Sequence, residues 1–322
     1  MRRVIGLTLI GFGAFLLAGG VLIRYYVAPR VIQAPTDTYQ VTTLQAQNAA
    51  YFDAASLRIR TGATVTATNT VRGDPRASHG GTAVWDSFTA IEDPANNVSL
   101  DVQRQRLAFD RRDARLTNCC GVSVQGDPKV RQSGIGLFWP VDVKKRTYQL
   151  FDLPTRRTWP IAYDGEERVN GVRAYRFVQH VPDTRVVGAV PPLPGELLGL
   201  GAKSGTVTAD RYYQADVTYW IDPRTGAPLN QREKVLSTLR SRTGGGRLVV
   251  ADLDLRMVAR SQRQLLDKAD DGARSISVVT FVIPLVCVLV GLVSIACGAL
   301  TRAQGRRADR ARPAAAEPVP AE

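Results

Sequence analysis

In Tyr213-Gln214-Ala215-Asp216-Val217-Thr218-Tyr219-Trp220-Ile221-Asp222, Tyr213, Ala215, Val217, Tyr219 and Ile221 alternate with Gln214, Asp216, Thr218, Trp220 and Asp222. A period of two is that of a strand with one face buried and one in water. The same alternation recurs at Ala63, Val65, Ala67 and Val71, at Val98, Leu100 and Val102, and at Val249, Ala251, Leu253, Leu255 and Met257. Turn chemistry separates these runs. Asn170-Gly171 between Val169 and Val172 is a two-residue hairpin signal, and Asp222-Pro223-Arg224-Thr225-Gly226 suits an Asx or type I turn. The cadence of apolar residue, aspartate and turn returns at Ala108-Phe109-Asp110 and at Leu150-Phe151-Asp152.

The predicted fold is therefore mainly β (α+β), antiparallel, with residues 36–140 and 141–257 as two related half-barrel or sandwich units. Helix is expected at Asn48–Leu57 and over 258–275. Pro182–Gly205 reads as a loop, although it holds four leucines.

Outside this β-rich region lie two uncharged apolar runs, Val4–Ile23 and Ile276–Leu300. At 1.5 Å per residue each is long enough for a hydrocarbon core of about 30 Å. Arg2 and Arg3 precede the first run, and Arg302, Arg306, Arg307, Arg310 and Arg312 follow the second, which accounts for part of the formal net charge of +13. The positive-inside bias then puts residues 1–3 and 301–322 in the cytoplasm, spans at 4–23 and 276–300 in the plasma membrane, and 24–275 outside it. The tail from Thr301 reads as disordered by composition. A cleaved signal peptide is the rival reading of the first run, but no small-x-small cleavage site follows Ile23, which favours an uncleaved anchor. Gly6, Gly13 and Gly20 recur every seven residues, and Gly291, Ser294 and Gly298 stand on the second run. Such spacing allows close helix pairing, and it also fits the ordinary abundance of glycine in spanning helices.

At 44% apolar and 22% charged residues over 322 positions, the chain is neither a disordered tail protein nor a disulfide-dense miniature. Cys287 and Cys297 lie on the second span. Cys119 and Cys120 are adjacent in an oxidising setting, so they are candidates for a vicinal disulfide or an oxidised turn. No metal-ligand spacing, GxSxG or HExxH occurs, so no catalytic residue, metal or cofactor is expected. The carboxylates Asp164, Glu166, Glu167, Asp252 and Asp254 read as solvated turn and strand positions. Nucleic acid is excluded as a partner by topology. Leu193, Leu197, Leu198 and Leu200, flanked by glycine and proline, are costly to leave in water. They are candidates for an apolar lip over a lipid-binding cavity, with Phe138 and Trp139 as wall residues. An ordinary loop tucked onto the sheet is the competing reading.

Asn118-Cys119-Cys120-Gly121, the stretch Gly136-Leu137-Phe138-Trp139-Pro140-Val141 with Lys145-Arg146-Thr147-Tyr148, and Tyr163-Asp164-Gly165-Glu166-Glu167 with Val169, Gly171, Tyr175 and Phe177 resemble the landmarks of the porin PorA family. These are actinobacterial two-pass envelope proteins related to mycobacterial polar growth factors. The resemblance implies a role in envelope assembly, and mycolate-type glycolipid handling through the related proteins. A shorter likeness, Tyr219-Trp220-Ile221-Asp222-Pro223 through Pro228-Leu229, is similar to the hairpin of unclosed β-barrels that carry lipids or lipoproteins.

The expected function is a non-catalytic membrane protein that binds an envelope lipid or glycolipid and works with a membrane lipid transporter or synthase. A porin-like oligomeric channel component and a glycolipid-processing enzyme are the alternatives.

Overall fold

The computed structural model describes residues 2–310. The chain forms two compact units, Gln33–Gly272 and the helical segments on either side of it in sequence. The first half of the larger unit holds β1 (Tyr39–Asp53), β2 (Arg58–Gly73), β3 (Thr82–Asp93), β4 (Val98–Asp110) and the short β5 (Leu116–Thr117) and β6 (Ser123–Val124). The second half holds β7 (Tyr148–Asp152), β8 (Arg157–Val169), β9 (Val172–Arg185), β10 (Leu193–Pro194), β11 (Thr206–Val207), β12 (Ala209–Ile221), β13 (Pro228–Ser241) and β14 (Arg247–Met257).

All but β10 and β11 join one 12-stranded sheet, in the order β5-β4-β3-β2-β1-β14-β13-β12-β9-β8-β7, with β6 on β4. Every pairing between named strands is antiparallel, and the halves merge where β1 meets β14, with Leu44 opposite Met257 and Tyr51 opposite Ala251.

The sheet curls until both edges reach one segment. Ile135 bridges Arg115, next to β5 on one edge, and Leu150 of β7 on the other. The backbone bonds are Leu116 N–H to the Gly134 carbonyl at 2.8 Å, Ile135 N–H to Gln149 at 2.7 Å, and Phe151 N–H to Ile135 at 2.9 Å. Residues 132–140 thus form a strap across a half-barrel. Gln132, 1% exposed, fixes its start. Its side-chain oxygen accepts from Gln105 at 2.8 Å, its side-chain nitrogen donates to the Arg106 carbonyl at 2.9 Å, and its backbone pairs with the Asn118 amide. Gly134 has φ +77°, and a Cβ there would run into the Gln149 carbonyl.

Five hairpin turns share one device. Asp53, Asp93, Asp110, Asp152 and Asp222 each accept backbone N–H bonds from residues two or three further on. The fourth residue after each aspartate, namely Leu57, Asn97, Ala114, Arg156 and Gly226, takes a positive φ of 54° to 74°. An Asx turn supplies the bonds the strands no longer provide, and the left-handed residue sends the chain back. Asn170 and Gly171, with φ of 47° and 87°, turn β8 into β9.

The helix expected at Asn48–Leu57 is strand and turn instead, since β1 runs to Asp53. A bulge between Ala46 and Ala49, with Asn48 at φ 55°, breaks the alternation there and leaves a spacing that imitates a helix.

The helices are α1 (Arg2–Leu22), α2 (Ala28–Val31), α3 (Ala259–Ser277) and α4 (Ile283–Arg310), with π-helical segments at Ile23–Val27 and Val278–Val282. Helix α4 runs on from Thr301 to Arg310, where the sequence reading put a disordered tail, and residues 311–322 lie outside the described residues. Two helical stretches, Val4–Val31 and Ala259–Gln304, are long and apolar enough to cross a membrane. Helices α1 and α4 pack with their glycines facing. A Cβ on Gly6 would lie 2.9 Å from the Gly298 carbonyl oxygen, one on Gly13 2.5 Å from that of Gly291, and one on Gly20 3.2 Å from that of Pro284. The seven-residue repeat is therefore a packing seam.

Because the Gln132 side chain satisfies the buried Gln105 amide and the Arg106 carbonyl of β4, Gln132→Ala is expected to destabilise the protein by about 1–3 kcal/mol. Chemical denaturation followed by near-UV circular dichroism measures the loss, and an unchanged midpoint would contradict the strap's role.

Candidate functional site

The curled sheet encloses a cavity of about 1010 Å³. Its walls are the inward columns of the alternating strands. On β14 these are Ala251, Leu253 and Leu255, and on β2 Ala67, Asn69 and Val71. Across β13 the inward side chains are Gln231, Glu233, Val235, Ser237 and Leu239, and Trp85 and Ile91 come from β3. Helix α3 covers one end, presenting Leu265 and Lys268 to the cavity, with Ser261 Oγ accepting from Thr43 N–H at 2.9 Å. Val190 to Leu193 line the other end, beside Phe52 and Leu239.

The expected ligand-binding residues divide between this cavity and the core. Phe138, Trp139 and Leu193 line the cavity. Phe138 stacks on Phe109 with ring centroids 5.4 Å apart, while Trp139 packs on Phe177 at 4.8 Å and is almost wholly buried, so the strap contributes wall and core together. Leu197, Leu198 and Leu200 are not part of the lining. They pack with Leu193, Ala209, Leu239 and Leu248 in one core cluster. The turn Gly195–Leu198, closed by Gly199 at φ 76°, aims them at that cluster. These three leucines thus pack at the end of the sheet, against residues that themselves reach the cavity.

Cys119 and Cys120 are joined by a disulfide in an exposed turn, with Cys120 at φ 62°. The carboxylates considered for chemistry are mostly occupied on the surface. Arg173 and Lys145 hold Glu166, Arg176 holds Asp164 and Glu167, and Arg232 grips Asp254 through two bonds of 2.7 Å. The hydrogen bonds and charges of Arg173 and Lys145 bring the Glu166 carboxyl down to about 2.

The sequence reading passed over Glu233, the one charged side chain in the inward column of β13. Its carboxylate accepts one hydrogen bond, from Gln231 at 2.9 Å. Burial, aided by the Asp152 charge and opposed by the Gln231 bond, pushes its carboxyl up to about 7. Burial likewise raises Tyr213 and Tyr219 and, against its bonds from Thr155, Asp152. The signal was available in the alternation, which places Glu233 in register with Val217 and Leu255.

The Porin PorA family model matches residues 5–300. The chain belongs to that family. A protein named Porin PorA from Corynebacterium amycolatum is 20% identical over an alignment covering 92% of this chain and 98% of its own length. A second Porin PorA, from Corynebacterium resistens, is 21% identical over 67% of each chain. The family resemblance in the sequence now has a structural meaning. Gly136–Pro140 belong to the strap and Asn118 anchors it, while Phe177 packs on Trp139 and Tyr163 and Tyr175 join the same cluster.

The folded protein holds the Glu233 proton more tightly than an unfolded chain, whose glutamate has a pKa of 4.5, so Glu233 costs stability as pH rises from 4.5 to about 7. Glu166 acts oppositely, its contribution fading as pH falls through 4.5 toward about 2. Glu233→Gln is therefore expected to melt at a higher temperature than wild type at pH about 8 and close to it at pH about 5. An equal difference at both pH values in thermal denaturation would rule this out.

Proposed function

We propose that this PorA-family protein is a non-catalytic envelope protein that holds the apolar part of a lipid or glycolipid in its half-barrel. In this reading α1 and α4 anchor it in the plasma membrane with both termini cytoplasmic and residues 33–272 outside. The observation that carries the reading is the cavity, enclosed by the sheet, the strap and α3 and walled largely by apolar side chains. Such a volume stands at the upper end of the roughly 300–1,000 Å³ of small-molecule sites. Left to water, those side chains would forgo about 25 cal/mol per Å² of apolar surface, which an acyl chain recovers. The lipid would pass to or from a membrane transporter or synthase paired with the two anchors.

A second reading, a channel component, has the name of its relatives in its favour, and family membership taken alone points that way. The convex face argues against a single-chain pore. Arg232, Arg256 and Asp254, Arg240 and Asp183, and Arg185, Arg242 and Asp210 form ion pairs across it. An Arg or Lys facing lipid at the bilayer midplane costs about 2–4 kcal/mol.

Two measurements separate the readings. Mass spectrometry of the full chain purified from its native membrane should find a stoichiometric amphiphile, and Ala67→Phe, which fills the cavity, should reduce it while leaving the melting temperature intact. Planar bilayers should show no conductance from the same preparation. A well-folded wild-type protein free of lipid that opens discrete channels would establish the second reading.

A further inference from the structure

Most polar groups on the cavity wall are uncharged. Thr42, Asn69, Ser87, Thr89 and Gln103 line the half built from β1 to β4. The Asn69 side-chain nitrogen donates to Ser87 Oγ at 2.8 Å and to Thr89 Oγ1 at 2.7 Å, leaving its carbonyl oxygen for a further donor. The charged side chains among the lining residues are Asp101, Asp152, Arg211, Glu233 and Lys268. Four of them are engaged. Arg211 lies 3.5 Å from Asp101 and donates to Ser237 Oγ at 3.0 Å, Asp152 accepts from Thr155, and Lys268 donates to the Tyr39 carbonyl at 3.1 Å. Glu233 differs: its carboxylate meets only the Gln231 amide, and among the described residues no basic side chain pairs with it.

We propose that Glu233 sets the head-group class of the cavity, which accepts amphiphiles with an uncharged, hydroxyl-bearing head and rejects anionic ones. This rests on the cavity being a ligand site. A hydroxyl satisfies a carboxyl in either protonation state, donating to the ionised form and accepting from the neutral one. An anionic head meets repulsion from the ionised form that the low-dielectric wall does not screen, and Arg211, the one guanidinium at hand, is already held by Asp101. The other titratable groups around Glu233 offer an anionic head no cation. Asp152 on β7 is held by Thr155, Tyr213 and Tyr219 on β12 stay neutral, and β14 presents only apolar side chains on that face, Leu253 and Leu255 among them.

The test uses the full chain in its membrane and two photoreactive probes sharing one diazirine-bearing alkyl chain. One has a glycerol ether head and the other a sulfonate, which stays anionic at every pH used. Labelling is mapped to the peptide holding Leu253 and Leu255. In wild type at pH about 8 the glycerol ether is expected to label at least about tenfold more than the sulfonate, with the gap narrowing below pH about 7 as Glu233 takes up its proton. Glu233→Gln should bring the two probes within about twofold at all pH values while glycerol ether labelling persists. Should that variant fail to fold, the wild-type pH dependence decides alone. Equal labelling by both probes in wild type, a pH-independent ratio, or an exclusion that survives in Glu233→Gln overturns the proposal while the cavity reading stands. If neither probe labels the cavity of wild type, both fall.

Discussion

Gly134 and Ile135 tie both ends of the same sheet together, and that closure is the constraint on which the rest of the larger unit depends. An antiparallel sheet of 12 strands left open would expose two edges of unpaired backbone groups and a concave apolar face. The strap satisfies the edges at one point and lays Phe138 and Trp139 against that face. The buried amides of Gln105, Gln132 and Gln179 are spent on the arrangement. Gln179, 2% exposed, donates to the Leu150 and Trp159 carbonyls at 3.1 and 3.2 Å, next to where the strap joins β7. Gly226 at φ 74° lets the β12–β13 turn approach the strap from the other side, where a Cβ would come within 2.6 Å of the Trp139 carbonyl oxygen.

Closure also separates the two faces chemically. Convex positions carry arginine-carboxylate pairs, each worth at most about 1 kcal/mol in water and therefore a sign of a wet surface more than a source of stability. Concave positions carry aliphatic and aromatic side chains, a strip of neutral amides and hydroxyls, and, among the described residues, two carboxyls without a paired cation, Asp152, held by Thr155, and Glu233. Membership of a family named for porins does not alter that division. A channel assembled from several copies would have to be built around these wet convex faces or from the terminal helices.

The strands were legible in the sequence because most of them alternate strictly, and the hairpins because Asn170-Gly171 and three of the five aspartate turns announce themselves. The other two, at Asp53 and Asp93, use Leu57 and Asn97 as their left-handed residues, and the bulge at Ala46–Ala49 hid the last part of β1. Periodicity also could not say that the two halves share one sheet, since the β1–β14 pairing joins residues about 200 positions apart, and it could not say that the sheet closes. The cavity was legible only in part. Phe138, Trp139 and Leu193 reach it, but Leu197, Leu198 and Leu200 are held behind Leu193 in its cluster by the turn between β10 and β11, and nothing in their spacing distinguishes a lip from a plug. Glu233 required picking out the one charged side chain within an inward column, not the pattern itself.

The central claim is that the sheet turns an aqueous face outward and an apolar, ligand-holding face inward. Nitroxide labels placed one at a time at Lys234 and Val235, neighbours on β13 with opposite orientation, test it directly in membranes when Cys287 and Cys297 are replaced by serine. The account predicts that the label at Lys234 collides freely with a water-soluble nickel chelate and little with the lipid-dissolved relaxation agent oxygen, while the label at Val235 is shielded from the chelate. A label at Lys234 shielded from the chelate and accessible to oxygen, with Val235 facing water, would describe a membrane-spanning barrel and contradict the account.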